Sequence, residues 1–156
     1  KVDDEDYVWM IEFRWSVLTS KKSPECIYAV RWGLNEDGKT RAILMHHEVA
    51  NVGSEFRLDH IDRDGLNNQR ANLRLASTIQ NAQNRGIRKH STPYKGVHYK
   101  KSSRKYSAYI NINKKFKYLG LFTDAKEAAR TYDREALAAF GEFALTNQQM
   151  GVLSEV

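Results

Sequence analysis

An aspartate and a histidine, Asp59 and His60, stand side by side near the end of the short apolar run FRLDHI. A carboxylate beside an imidazole can hold a hard cation and supply a general base. Asn72 lies twelve residues beyond His60, and Asn81 nine beyond that. A strand, a loop, a second strand and a helix of that length can bring all four side chains to one cleft. Other readings of these residues stay open. Asp59 could cap the loop that follows it. Asn72 could be a turn former, the reading preferred for Asn67 and Asn68. Asn84 competes with Asn81 for the helical place, and Asp62 and Asp64 read as loop residues. His46 and His47 are neighbours in what reads as a strand. They would point to opposite faces and could not both reach one metal, so a structural role suits them.

The elements around these residues are mostly strands. Residues 7–19 and 27–34 are rich in aromatic and β-branched side chains and read as strands. Asn35 to Gly38 is a turn signal that joins the second of them to residues 40–49, so 27–49 reads as a hairpin. Residues 56–61 form a short strand, 62–72 a polar loop and 73–76 a strand. Residues 78–85 read as a helix, with Ser77 or Thr78 as its cap and Gly86 as its stop. After the basic stretch 86–93 come three strands with tight connections, 94–100, 105–113 and 115–122. In the middle one Lys105, Ser107, Tyr109, Asn111 and Asn113 face one way, and Tyr106, Ala108, Ile110 and Ile112 the other. Asp124 and Glu127 have capping-box spacing. The helix they open carries Ala125, Ala128, Ala129, Tyr132, Ala136, Ala139 and Phe140 on one stripe, and Gly141 stops it.

A chain of 156 residues suits one compact domain, or two of about 60–90 residues. With 41% hydrophobic and 28% charged residues it can bury a core, which excludes a disordered tail. One cysteine, Cys26, excludes a disulfide framework and a cysteine-rich zinc site and points to a reducing compartment. No apolar run approaches the ~18 residues a membrane span needs, and no signal peptide is visible. The net charge of +6 is uneven: −2 over residues 1–58, +3 over 59–89 and +5 over 90–156. From Lys95 to Lys117 there are eight Lys or Arg and no Asp or Glu. A one-signed stretch of that kind, interleaved with aromatics, attracts a polyanion.

The stretch DHIDRDGLNNQRANLRLASTIQNAQNR resembles the HNH nucleases, and within them the homing-endonuclease branch in which asparagine replaces the last histidine. DDEDY, YAVRW and ILMHHEV resemble that branch too, so the likeness covers residues 3–88. It implies that His60 is the general base that deprotonates water. It implies that Asp59 and Asn81 bind one divalent metal, and that Asn72 fixes the loop and the imidazole. The implied chemistry is coherent. Cutting a phosphodiester needs a nucleophile, charge stabilisation on the phosphoryl oxygens and stabilisation of the departing alkoxide. One metal ion with oxygen ligands can do the last two, and a neutral histidine the first. An asparagine carbonyl is a hard ligand that suits Mg²⁺ (or Mn²⁺) better than Zn²⁺.

Residues 94–147 resemble the Apetala-two/ethylene-response-factor DNA-binding domain. The motifs are YKGV at 94–97, YLGLF at 118–122, EAARTYD at 127–133 and the tail 143–147. The resemblance implies a three-stranded sheet in the major groove with a helix behind it. That groove, ~12 Å wide, admits strands. Lys95, His98 and Lys100 then take first-strand contact positions, Lys105, Tyr109 and Asn111 second-strand positions, and Phe116 and Tyr118 third-strand positions. Tyr132 on the helix is a backbone-contact candidate. Several plant arginines are Lys, His, Asn or Phe here, and a plant tryptophan is Tyr118. Fewer bidentate guanine contacts are therefore available, and the plant GC-rich target does not carry over. The lysines suit phosphates, and Asn111, His98 and Tyr109 could touch bases. Phe116 and Tyr118 could instead be core. Lys117 shares the parity of Leu119, which points it at the helix, with its ammonium snorkelling out at the edge.

The expectation is an α+β protein. A β-rich HNH (ββα-metal) domain would span 1–88, with its core at about 56–86. A linker at 89–93, the sheet-and-helix domain at 94–147 and a tail at 148–156 would follow. The expected function is that of a homing-type endonuclease using one Mg²⁺ (or Mn²⁺) and acting on double-stranded DNA. It would nick as a monomer in the cytoplasm of a prokaryotic or phage-infected cell, with no membrane and no small-molecule cofactor. The alternative is a non-catalytic DNA-binding regulator on an HNH-like scaffold. The basic sheet face argues against a hydrolase unrelated to nucleic acid.

Overall fold

A computed structural model describes residues 1–20, 23–34, 38–87 and 91–154, with backbone alone at 20 and 23–25. The turn residues Asn35, Glu36 and Asp37, and Arg88, Lys89 and His90 of the basic stretch, lie outside the described residues. The architecture is mixed α+β, as expected, and the chain divides into two compact units, Lys1–Thr78 and Ile79–Val156.

In the first unit β1 (Ser16–Ser20), β2 (Ser23–Leu34) and β3 (Thr40–Leu44) form an antiparallel sheet in that order. The β2–β3 hairpin pairs Leu34 with Thr40 and Val30 with Leu44. Two expectations fail here. Residues 7–19 are not one strand: helix α1 (Asp4–Met10) precedes β1. Its first turn carries Asp4, Glu5 and Asp6, which favours a helix N-terminus. Arg70 then pins it, its guanidinium donating to Asp6 at 2.6 and 2.9 Å and its backbone N–H to Asp3 Oδ2 at 2.8 Å. Asp6 and Met10, one turn apart, are buried. Those tertiary contacts outweigh the local β-propensity of the aromatic run. The strand expected to run to Val49 also stops early, and Met45–Val49 is helix α2. Arg31 of β2 grips the Glu48 carboxylate at 2.8 and 2.5 Å, and Val49 is fully buried.

Strands β4 (Leu58–His60) and β5 (Leu73–Leu75) pair antiparallel, with Asp59 opposite Arg74 and His60 opposite Leu73. The loop between them closes through a one-turn 3-10 helix, Arg70–Asn72. Helix α3 (Thr78–Gln83) begins the second unit from Ile79 onward.

The second unit holds β6 (Val97–Lys100), β7 (Lys105–Ile112) and β8 (Lys115–Phe122), antiparallel in that order, and α4 (Ala125–Phe140). Asn113 and Lys114, with φ of 51° and 65°, make the two-residue turn that suits strand twist. Asp124 Oδ1 caps α4 by accepting from the Lys126 N–H at 3.1 Å. Val97 and Ala108 of the sheet pack with Ala128 and Ala129 of the helix, and Ile110 packs with Tyr132 and Ala136 in a second buried cluster. A buried polar joint locks the C-terminal segment. Asp133 accepts from the Asn147 backbone N–H at 2.8 Å and Nδ2 at 2.7 Å, and Asn147 Oδ1 accepts from the Lys95 N–H at 2.6 Å. Gly96 has φ of 76°, and a Cβ there would meet the Tyr132 ring at 2.0 Å. No helix among the described residues is long and apolar enough to cross a membrane.

Candidate functional site

The β4–β5 loop is built around Asp62. Its carboxylate accepts from Asn67 Nδ2 at 2.7 Å, Asn72 Nδ2 at 2.8 Å and the Asp64 N–H at 2.9 Å. Its own N–H donates to Asn72 Oδ1 at 3.0 Å. Burial works to raise the Asp62 pKa, but the bonds from Asn67, Asp64 and Asn72 outweigh it and hold the carboxyl below its ordinary value. Asn72 also donates to the Asn67 carbonyl at 2.8 Å, so it ties both ends of the loop. Gly65 lets the loop touch β2, since a Cβ there would lie 2.2 Å from the Ile27 carbonyl.

His60 ends β4 and is 7% exposed. Its Nε2 lies 3.3 Å from Asn68 Oδ1. With an amide oxygen facing it, Nε2 carries the proton, and Nδ1 is the basic nitrogen. The Asn68 amide is held in turn by Met45 Sδ at 3.4 Å. Burial lowers the His60 pKa, against the opposing Asn68 bond and the charges of Asp62, Asp59 and Asp64. Burial thus favours the neutral imidazole, the form a general base requires. The His46 ring meets it edge-on at 5.0 Å and 89°, and Tyr28 packs on it at 6.0 Å. His46 is 6% exposed, and its Nδ1 is buried without a hydrogen-bond partner. Burial, then His60 and His47, push its pKa down to about 3. Because α2 is a helix, the His46 and His47 rings lie 4.7 Å apart rather than on opposite faces of a strand.

Asp59 is 5% exposed, and its Oδ2 accepts from Arg74 Nε at 3.0 Å and Nη2 at 2.7 Å. Asn81 lies on α3 and is half-buried, while Asn84, just past the helix, is buried; both belong to the second unit. Among the described residues no three His, Cys, Asp or Glu side chains are grouped to hold a metal. In the first unit the Asp59 carboxylate is a hard oxygen donor of the kind that suits Mg²⁺, and the Arg74 charge beside it would weaken its hold on a cation. Sequence reasoning missed Arg74, Asn68 and Tyr28. Only Arg74 had a signal, its place opposite Asp59 once the strands are paired.

The outer face of the β6–β7–β8 sheet carries His98, Lys100, Lys105, Tyr109, Asn111, Phe116 and Tyr118. Lys100 stands opposite Lys105, Tyr109 opposite Tyr118 and Asn111 opposite Phe116. His98, Tyr109 and Tyr118 form a row of rings with centroids 6.1 and 5.2 Å apart. Phe116 is 79% and Tyr118 55% exposed, so neither is core. A register shift beside Ala108 and Tyr109 separates them from Leu119, which packs against the core. Lys117 stands opposite Ile110 and donates to Glu135 of α4 at 2.7 Å. Two expected contact residues are placed elsewhere. Tyr132 is 5% exposed within the core, where burial raises its pKa. Lys95 precedes β6, and its ammonium donates to three backbone carbonyls, those of Gln83, Arg85 and Leu145.

The chain is 36% identical, over 121 residues, to an uncharacterized HNH endonuclease of Acanthamoeba polyphaga mimivirus. The match takes in 78% of this chain and 63% of the relative, so the chain spans less than two thirds of that protein's length. No protein-family model matches the chain.

Proposed function

We propose that this chain is an HNH-type, metal-dependent DNA endonuclease of the homing kind, which nicks double-stranded DNA at a site chosen by its C-terminal sheet. The observation that carries the reading is His60. It is a buried imidazole at the end of a strand, oriented by an amide and next in sequence to a buried carboxylate, and burial favours its neutral form. The HNH name of the viral relative supports it. In this reading His60 Nδ1 takes the proton of the attacking water, while Asn68 holds the ring and Asn72 holds the loop. Asp59 and Asn81 would hold one Mg²⁺ or Mn²⁺, which when bound supplies positive charge to the phosphoryl oxygens and the leaving alkoxide. His98, Lys100, Lys105, Tyr109, Asn111, Phe116 and Tyr118 would face the duplex, the lysines on phosphates and the asparagine and rings toward bases.

The test is conversion of supercoiled plasmid by the purified chain, with Mg²⁺ and with chelator. Nicking that vanishes in chelator and falls by about 10²–10⁴-fold in His60→Ala is expected for a general base. Undiminished cutting by His60→Ala would refute the mechanism.

One observation favours a second reading. Arg74 neutralises Asp59 within the fold, as a scaffold ion pair would. A non-catalytic DNA-binding regulator predicts metal-independent binding, no scission in any divalent ion, and unchanged affinity after Asp59→Ala.

A further inference from the structure

Helix α3 carries Asn81 and is a weak element. It has six residues, none of them buried, against the roughly 12 a helix needs to persist alone in water. A helix end also leaves carbonyls without intrahelical partners, and a cation is favoured there. Lys95 supplies that cation. An ammonium has three donors. Those of Lys95 reach the carbonyls of Gln83 at 2.7 Å, Arg85 at 2.9 Å and Leu145 at 3.3 Å. Gln83 is the last residue of α3, and Arg85 lies two beyond it. Leu145 belongs to the buried segment that Asn147 and Asp133 anchor to α4. The backbone of Lys95 is held as well, its N–H and carbonyl both bonded to the Asn147 side chain.

We propose that Lys95 is a positioning residue that clamps the end of α3 to the core of the second unit, and not a contact to DNA phosphate. The clamp stands on these bonds alone. Its consequence for cleavage, a fixed place for Asn81, rests on the proposed function. A lysine on the sheet face would have its ammonium in water until DNA arrives. Lys95 has its ammonium committed beforehand, and moving it to a phosphate would break its bonds to three carbonyls.

The full chain tests this in two ways. In the ¹⁵N–¹H spectrum of the lysine ammonium groups, the Lys95 signal is expected to be present in the free protein and unmoved by short mixed-sequence duplex DNA. A signal that appears or shifts only with DNA overturns the proposal. In Lys95→Met, amide exchange at residues 81–85 should accelerate by about tenfold, from the loss of charged hydrogen bonds. The Mg²⁺ concentration for half-maximal cleavage should rise by a similar factor, and the salt dependence of DNA binding should not change. Lys100→Met is the contrast: its log–log salt slope should flatten by about 0.9, with α3 exchange untouched. A Lys95→Met chain with the flattened slope and unaltered α3 exchange overturns the clamp. If Lys95→Met does not fold, the ammonium spectrum of the native chain decides. If the native chain never cuts, the nuclease reading fails while exchange and spectrum still judge the clamp.

Discussion

The Asn68 amide and the His46 and Tyr28 rings lie against His60. Asn68 is buried, and its Oδ1 is the acceptor at 3.3 Å from Nε2. Asn68→Ala would leave that N–H buried without its partner, a cost of about 1–3 kcal/mol. A lower melting temperature and a single-turnover cleavage rate reduced at least about tenfold are expected. His46 gives a pH prediction. Its folded pKa, about 3, lies below the ordinary 6.5. The unfolded chain therefore binds a proton that the native chain refuses, and stability is full above about pH 6.5 and falls as the pH drops toward 3. The slope from this group is about 1.4 kcal/mol per pH unit. Denaturant titrations between pH 7 and 4 should show it, and His46→Phe should flatten it. Asp59 and His60 were legible because they are sequence neighbours of complementary chemistry. Asn68 was not, because beside Asn67 it has the same credentials as a turn former, and only burial against the imidazole tells them apart.

At the scale of elements, legibility followed how local the cause was. The β7 alternation through Ile112, the Asp124 cap and the Gly141 stop all arise within a few residues, and all are present, whereas Asn113, expected as the last face residue of the strand, lies with Lys114 in the turn. The local pattern of residues 7–10 and 45–49 suggests strand, and the cause of helices α1 and α2 lies far along the chain: Arg70 holds α1 from 64 residues away, and Arg31 holds α2 from 17. The sheet-and-helix packing in the second unit depends on Gly96, which combines positive φ with a ring against its α-carbon. Gly96→Ala should cost about 2–4 kcal/mol from the left-handed conformation and the overpacking together. Thermal unfolding would measure the loss, and DNA affinity at a temperature near the new midpoint should fall with it. Unchanged stability would mean that Tyr132 can leave its place under the β6 entry.

For the whole molecule, the measurable quantity is charge presented to a polyanion. Lys95 is turned to carbonyls and Lys117 to Glu135. Lys100, Lys101, Arg104, Lys105, Lys114 and Lys115 remain in the same basic stretch. If most of them meet phosphates, log K for duplex DNA should fall with log[salt] at a slope of roughly −4 to −5. A flat dependence in fluorescence anisotropy would contradict the sheet as a DNA face. The sequence alone determined that the basic charge is concentrated in the second half and which side chains share a face of β7, and it singled out Asp59 and His60 as candidates for a metal ligand and a general base. Spacing and composition carry that information, because strand parity and adjacency are properties of neighbours. Only the tertiary structure decided where these polar groups spend their hydrogen bonds, Lys95 on backbone carbonyls and Asp59 on Arg74, and that Tyr132 is buried in the core. A buried donor or acceptor takes whatever partner the packed fold brings to it, and that partner is set by distant residues rather than by the group's own surroundings in the chain.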